Sequence, residues 1–153
     1  MIKILFICHG NICRSTMAQF VFQDMINKSG LSDQFYIDSA ATSREEIGNP
    51  PHYGTVRKLQ EAGVPVLHHR AVQMTKKDYE KYDFLLGMDD WNIRNMNRIV
   101  GKDPQHKIHM LLDFSSRPRS IADPWYTGNF DVTYEDIKEG CKSFLAYLKK
   151  EKL

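Results

Sequence analysis

The chain begins with a short apolar segment that breaks abruptly into a polar loop. Residues 2–7 are β-branched, aliphatic and aromatic apart from one lysine, a composition that predicts a strand buried on both faces of a parallel sheet. The loop reads Cys8-His9-Gly10-Asn11-Ile12-Cys13-Arg14-Ser15, and apolar residues at helical spacing begin at Met17. A strand, a compact polar loop and a helix in this order predict a backbone that wraps around a bound anion.

Two side chains of this loop suit phosphate chemistry. Arg14 offers a planar fork of donors that matches phosphate oxygens and carries a permanent charge. Cys8 would lie at the base of an electropositive bowl, where a thiol becomes a thiolate and a nucleophile. Taken singly, a buried cysteine and a surface arginine would be ordinary, but the whole string favours phosphate chemistry.

Length and composition limit the classes of protein that remain. The 153 residues predict one domain over 1–153, and 21 Lys+Arg against 19 Asp+Glu give a net charge of +2, which argues against nucleic-acid binding. There is no apolar run of about 18 residues, so no membrane span is expected. The N-terminal apolar run is too short for a signal peptide, and three cysteines do not form a secreted disulfide framework. We expect a cytoplasmic protein.

Strand and helix patterns alternate along the chain. Further strands are predicted at 35–37, 83–88 and 107–112, and helices at 15–30, 56–62, 75–82 (capped by Thr75), 91–100 and from Asp131 or Thr133 onwards. Cys141 falls within the apolar stripe of the last helix, which predicts a core thiol. The alternation predicts an α/β fold of three layers, a four-stranded parallel sheet flanked by helices, with the phosphate-binding loop after the first strand.

Four chemically interesting positions follow the four predicted strands. Cys8 follows the first strand, Ser39 the second and Asp89 the third, and the loop containing Asp123 follows the fourth. Ligands of parallel sheets bind beyond the carboxyl ends of the strands. The predicted topology therefore places all four positions on one rim.

These residues together resemble the low molecular weight protein tyrosine phosphatase family. The resemblance rests on the loop from Cys8 to Ser15, Asp38-Ser39-Ala40, His69-Arg70-Ala71 with Gln73, Met88-Asp89 and Asp123-Pro124-Trp125. It covers essentially the whole chain. It implies hydrolysis of phosphotyrosine and aryl phosphate monoesters through a phosphocysteine intermediate, with no metal and no cofactor.

The resemblance also implies catalytic roles. Cys8 attacks phosphorus, while Arg14 and the loop amides hold the three equatorial oxygens. Asp123 protonates the leaving phenolate oxygen and then deprotonates the attacking water. Pro124 restricts the backbone of Asp123 to extended geometry, which helps to aim its carboxylate.

The resemblance also implies a set of residues that support the loop through hydrogen bonds. They are Asn11, Ser15, Ser39 and His69, with Asp89 as a further member. Asn11 tolerates the left-handed backbone that a tightly curled loop needs. Ser15 can donate to the Cys8 thiolate or cap the helix, and Asp89 can equally cap the next helix. Cys13 is implied as a redox partner that closes a reversible disulfide with Cys8.

The substrate cleft implied by the family has one unusual wall. Its substrate-binding positions are His9, Gly10, Asn11, Ile12, Cys13, Glu45, Trp125 and Tyr126. Trp125 and Tyr126 would flank a phosphotyrosine ring, but Glu45-Glu46 stands where many relatives have an aromatic residue. This acidic wall predicts a bias towards peptides with basic residues near the phosphotyrosine.

Other functions fit the sequence less well. Arsenate reductases of similar fold need cysteines in mid-chain, and none lies between Cys13 and Cys141. Protein-arginine phosphatases carry a threonine where Ile12 stands. Phosphocysteine carriers of sugar-uptake systems must keep the phosphoryl group, which Asp123 and Arg14 would hydrolyse. A zinc site at Cys8, His9 and Cys13 lacks a second ligand pair.

The expected partners follow from the tyrosine phosphatase interpretation. They are phosphotyrosine-containing proteins or peptides, with inorganic phosphate or similar oxyanions in the active site. We expect no nucleic-acid or membrane partner, and a monomer or weak dimer.

Overall fold

A computed structural model describes residues 1–153, with four parallel strands between two layers of helices. The strands are β1 (Ile2–Cys8), β2 (Phe35–Ala41), β3 (Phe84–Gly87) and β4 (Ile108–Met110), in the order β2-β1-β3-β4. The helices are α1 (Arg14–Lys28), α2 (Tyr53–Glu61), α3 (Asp78–Lys81), α4 (Asp90–Val100), α5 (Pro124–Thr127) and α6 (Phe130–Glu151). Short 3-10 turns occupy Ser32–Gln34 and Leu111–Phe114. The predicted three-layer α/β fold is confirmed.

Strand β1 lies in the interior of the sheet and is covered on both faces. Ile4 and Phe6 are fully buried in the larger apolar cluster, which α1 and α6 complete. Leu5 and Ile7 point the other way, into a smaller cluster completed by residues of α3 and α4. This alternation explains why the strand is apolar almost throughout, and it fixes the loop that follows Cys8 at the carboxyl edge of the sheet.

Several element boundaries differ from the sequence prediction. Thr75 does not cap α3, because the helix begins at Asp78 and the Asp78 carboxylate accepts a hydrogen bond from the Thr75 amide instead, at 2.8 Å. Strand β4 ends at Met110, because the chain turns there into a 3-10 helix. The differences at α3 and β4 arise from local capping, which apolar periodicity does not report. Strand β2 runs to Ala41, beyond the predicted 35–37, so Ser39 lies within the strand and does not follow it.

The last two helices also differ from expectation. Asp123 caps the short helix α5, which no pattern in the sequence predicted. Helix α6 begins at Phe130, with the Asn129 side chain accepting from the Val132 amide at 3.1 Å, rather than at Asp131 or Thr133. Cys141 of α6 is fully buried in the larger cluster, as predicted. None of the helices combines the length and apolar character that crossing a membrane requires.

Candidate active site

The loop between β1 and α1 is anchored through its carbonyl groups. The Cys8 carbonyl accepts from the Thr42 amide at 3.0 Å, and the His9 carbonyl accepts from both the amide and the hydroxyl of Ser43. Further along, the Ile12 carbonyl accepts from the His52 amide at 2.8 Å. The carbonyl oxygens of the loop are therefore tied to the surrounding protein.

The backbone amide groups of the same loop have no backbone acceptor. The backbone N–H groups of residues 9–13 donate to no other backbone group. Asn11 adopts a left-handed backbone with φ of 59°, a conformation that asparagine tolerates better than most residues. Successive unpaired amides in a turn that includes a left-handed residue form a concavity that suits an anion.

A buried chain of hydrogen bonds leads from Cys8 into the protein. The Sγ of Cys8 lies 3.1 Å from the Oγ of Ser15, which accepts from the Nδ2 of Asn11 at 2.8 Å. Since the Asn11 amide already donates to Ser15, the Ser15 proton is free to point at the Cys8 sulfur. Ser15 lies inside α1 and does not cap it, because the capping position belongs to Cys13.

The other end of the Asn11 amide contacts His69. The Nε2 of His69 lies 2.8 Å from the Oδ1 of Asn11 and 3.3 Å from the Oγ of Ser39. Burial lowers the pKa of His69 below its usual value, and the negative charge of Asp38, 3.6 Å from its Nδ1, opposes this shift. A neutral imidazole with its proton on Nε2 fits these contacts, since the Asn11 oxygen can only accept.

Gln19 belongs to the same chain of hydrogen bonds, although no sequence motif predicted it. Its Oε1 accepts a hydrogen bond from the Ser39 hydroxyl at 2.5 Å, and its side chain is buried. Because Ser39 donates to Gln19, its oxygen can accept from His69. The spacing of one helical turn between Ser15 and Gln19 was the signal that could have identified it.

Arg14 is almost wholly buried at the start of α1. Its Nη1 donates to Asp89 at 2.6 Å and to the Ile121 carbonyl at 2.9 Å, while its Nη2 lies 3.4 Å from the Asp123 carboxylate. Burial alone would lower the pKa of Arg14, but the charges of Cys8, Asp89 and Asp123 raise it, so the guanidinium stays charged. Its Nε is buried with no hydrogen-bond partner.

Asp89 and Asp123 each have two roles. Asp89 caps α4 through a reciprocal pair of hydrogen bonds with Asn92, so the capping interpretation is confirmed alongside its contact with Arg14. One carboxylate oxygen of Asp123 accepts from the Trp125 amide at 3.0 Å, and the other faces Arg14. The Asp123 carboxylate is thus held over the loop by α5.

The residues predicted to bind substrate surround one cleft. Its lining consists of Cys8, His9, Gly10, Ile12, Cys13, Glu45, Glu46, Asp123, Trp125 and Tyr126. Asn11 is the exception, because it is fully buried and faces Ser15 and His69. Glu45 and Glu46 both line this cleft, and the Oε2 of Glu45 lies 2.9 Å from the Nε2 of His9, which lines it as well.

The three thiols of the chain differ in surroundings. All three cysteines are free. Burial, reinforced by the nearby Cys8 and Asp123 charges, raises the pKa of Cys13 to about 12, and burial also raises that of Cys141. Both are therefore neutral near pH 7. No group of three or more His, Cys, Asp or Glu side chains converges in a way that could hold a metal ion.

Comparison with known proteins places this geometry in a family. The family model described as low molecular weight phosphotyrosine protein phosphatase matches residues 3–153. The chain belongs to the low molecular weight protein tyrosine phosphatase family. It is 40% identical to the low molecular weight protein-tyrosine-phosphatase YfkJ of Bacillus subtilis, over 99% of each chain.

Other similar proteins support the same assignment. The crystal structure of YfkJ superposes with a TM-score of 0.95, covering 100% of this chain and 98% of that one. The human low molecular weight phosphotyrosine protein phosphatase is 37% identical over 94% of this chain and 93% of its own. A structure of an arginine phosphatase from Drosophila is similar at 27% identity, with a TM-score of 0.90 and coverage of 99% and 100%. The family predicted from the residues, and with it the prediction of an enzyme, is confirmed.

Proposed function

We propose that this phosphatase family member hydrolyses phosphotyrosine and other aryl phosphate monoesters through a phosphocysteine intermediate on Cys8. The observation that carries the proposal is a set of unpaired donors around one thiol. The amides of residues 9–13 have no backbone acceptor, and the Nε of Arg14 is buried and unpartnered. A phosphate dianion in the loop would satisfy these donors at the position where the Cys8 sulfur can reach phosphorus.

In the first step the Cys8 thiolate attacks phosphorus and the bond from phosphorus to the tyrosyl oxygen breaks. Ser15 donates to the thiolate, and the loop amides with Arg14 hold the three equatorial oxygens in the transition state. Asp123, in its protonated form, gives its proton to the leaving oxygen. The products of this step are a free tyrosine side chain and phosphocysteine.

In the second step a water molecule attacks the phosphocysteine. Asp123, now a carboxylate, takes a proton from that water, and the sulfur–phosphorus bond breaks to regenerate the Cys8 thiolate. Inorganic phosphate leaves the loop. The Asp123 carboxylate lies 3.4 Å from Arg14, so it stands beside the group that would hold the phosphoryl oxygens in both steps.

Ile12 favours an aromatic ester over phosphoarginine. Its side chain is apolar and lines the cleft together with Trp125 and Tyr126, surroundings that suit a phenyl ring better than a charged guanidinium. The similarity to an arginine phosphatase makes phosphoarginine the second candidate substrate. On the opposite wall, the carboxylates of Glu45 and Glu46 favour basic residues near the phosphotyrosine.

The redox role of Cys13 is part of the same proposal. Cys13 lines the cleft with Cys8, and both thiols are free. A peroxide would oxidise the Cys8 thiolate to a sulfenic acid, which would condense with the Cys13 thiol and release water to form a disulfide that thiol reductants reopen. A nucleophilic thiol of this kind needs reducing surroundings, so we propose that the enzyme works in the cytoplasm.

The direct test compares three substrates. We expect the protein to release phosphate from p-nitrophenyl phosphate and from a phosphotyrosine peptide, and to act on a phosphoarginine peptide at least tenfold more slowly. Cys8→Ser should abolish turnover, whereas Cys141→Ser, a change to a thiol outside the cleft, should retain it. Faster hydrolysis of the phosphoarginine peptide, or turnover by Cys8→Ser, would contradict the proposal.

A further inference from the structure

A second groove opens directly beside the catalytic cleft. It is lined by His9, Arg14, Asp89, Trp91, Asn92, Asn95, Asp123 and Tyr126. His9, Asp123 and Tyr126 line both spaces. A substrate chain that presents a phosphotyrosine to Cys8 therefore has a continuous path from the cleft into this groove.

The groove has two exposed aromatic side chains that the fold does not use. Trp91, in the first turn of α4, is 65% exposed, and Tyr126 of α5 is 82% exposed. Helix α4 packs through Asn92, Met96 and Val100, so Trp91 lies outside its buried face. Large exposed aromatics beside a binding cleft are typical of contact surfaces, since they bury much apolar area at little cost in side-chain entropy.

Trp91 is held in place relative to the phosphate loop. The guanidinium of Arg94 lies 4.8 Å from the centre of its ring, an interaction that orders the indole. Two residues before Trp91, Asp89 caps the helix and pairs with Arg14 at 2.6 Å. Trp91 and Arg14 are thus connected through Asp89 and the first turn of α4.

The charges around the groove indicate what it accepts. The carboxylates of Asp89 and Asp123 already face the Arg14 guanidinium, and Arg94 adds a positive charge beside the indole. The positive charge of Arg94 would repel a basic side chain. The carboxylates of Asp89 and Asp123 would attract it only weakly, because they already face Arg14. Asn95 makes no side-chain hydrogen bond within the chain and is half-buried, so its amide is available to a peptide backbone.

We propose that this groove is a specificity subsite that binds an apolar or aromatic side chain of the substrate, located within three residues of the phosphotyrosine. The inference rests on the proposed phosphotyrosine activity and assigns Trp91 as a specificity-determining residue. Trp91 touches the flanking substrate side chain and not the phosphate, so it affects peptides and not small aryl phosphates.

The test uses phosphotyrosine peptides that differ only in having leucine, phenylalanine or alanine at the positions flanking the phosphotyrosine. We expect kcat/KM to be about three- to tenfold higher for the best leucine or phenylalanine peptide than for its alanine counterpart. Trp91→Ala should remove this difference and leave hydrolysis of p-nitrophenyl phosphate unchanged. Trp91→Phe should keep most of it, and Tyr53→Ala, which truncates an aromatic that is 76% exposed and lies outside the groove, should keep all of it.

The outcomes separate this inference from the proposed function. Failure of the wild-type protein to hydrolyse p-nitrophenyl phosphate contradicts the proposed function itself. If hydrolysis occurs but the peptides are turned over equally, or Trp91→Ala retains the preference, the subsite is wrong. If Trp91→Ala leaves peptide preference intact but changes the sedimentation of the protein, the groove is an interface between copies and the proposal is overturned.

Discussion

The carboxylate of Asp89 lies 2.6 Å from the Nη1 of Arg14, where the start of α4 meets the start of α1. The Arg14 side chain is only 2% exposed, so its charge depends on partners supplied by the protein. Asp89 supplies one and Asp123 another, while the unpartnered Nε is left for substrate. The guanidinium is thereby oriented before any phosphate arrives.

Asp89→Asn should weaken both stability and phosphate binding. Asparagine keeps the capping ability of Asp89 but removes its charge, so the loss of the charge-assisted bond to Arg14 should lower the free energy of unfolding by about 1–2 kcal/mol. Competitive inhibition by inorganic phosphate should weaken as well. Urea denaturation and inhibition assays measure the two effects, and the exposed neighbour variant Asp90→Asn is the matched control. Equal behaviour of the two variants would rule out the orienting role.

Ser15→Ala should slow catalysis without removing the nucleophile. Loss of one hydrogen bond to a charged sulfur corresponds to a reduction of about 10- to 100-fold in kcat/KM. Thr16→Ala is the matched control, because Thr16 is an equally buried hydroxyl that donates to the Cys13 carbonyl and not to Cys8. Steady-state kinetics with p-nitrophenyl phosphate measures kcat/KM for both variants. A similar loss of kcat/KM in the two would mean that Ser15 has only a structural role.

His69 should make the fold less stable in acid. Burial lowers its pKa in the folded state below the usual value, so the unfolded chain binds more protons as the pH falls. The contribution of neutral His69 is present above about pH 6.5 and is lost progressively below it. His69→Asn should flatten the fall in the free energy of unfolding below pH 6.5, measured by urea denaturation at several pH values. The exposed His106→Asn should retain the wild-type slope, and an unchanged slope in His69→Asn would refute the assignment.

Cys13→Ser should separate catalysis from protection against oxidation. Because its pKa is raised to about 12, the Cys13 thiol is neutral near pH 7 and is not the nucleophile. The variant should keep kcat within several-fold of wild type. After treatment with hydrogen peroxide, dithiothreitol should restore the activity of the wild type but not that of Cys13→Ser. Full recovery of the variant would mean that Cys13 gives no protection.

The sequence predicted the parts of this architecture that depend on regular patterns. The apolar run of residues 2–7 predicted a strand buried on both faces, and parallel topology placed Cys8 and Asp123 on one rim. These predictions succeeded because β1 faces two apolar clusters, and residues that pack into such clusters recur at regular spacing in the sequence.

Contacts between side chains that are distant in the sequence have no regular spacing from which they could be predicted. Gln19 and Ser39 bond across two different elements, and His9 meets Glu45 from another loop. Neither pair has a periodic spacing, so only the folded chain brings them together. Similarly, the exposure of Trp91 follows from which residues of α4 face the sheet, which a single tryptophan near a helix start does not reveal.

In the proposed mechanism Cys8 carries the phosphoryl group and Asp123 assists its removal. In Asp123→Ala, p-nitrophenyl phosphate still phosphorylates Cys8, because nitrophenolate leaves without a proton donor, but attack by water lacks its base. Mass spectrometry of this variant, quenched during turnover, should find one phosphoryl group on the peptide that contains Cys8. A phosphoryl group on another residue, or phosphate release at the wild-type rate with no phosphorylated enzyme, would contradict the account.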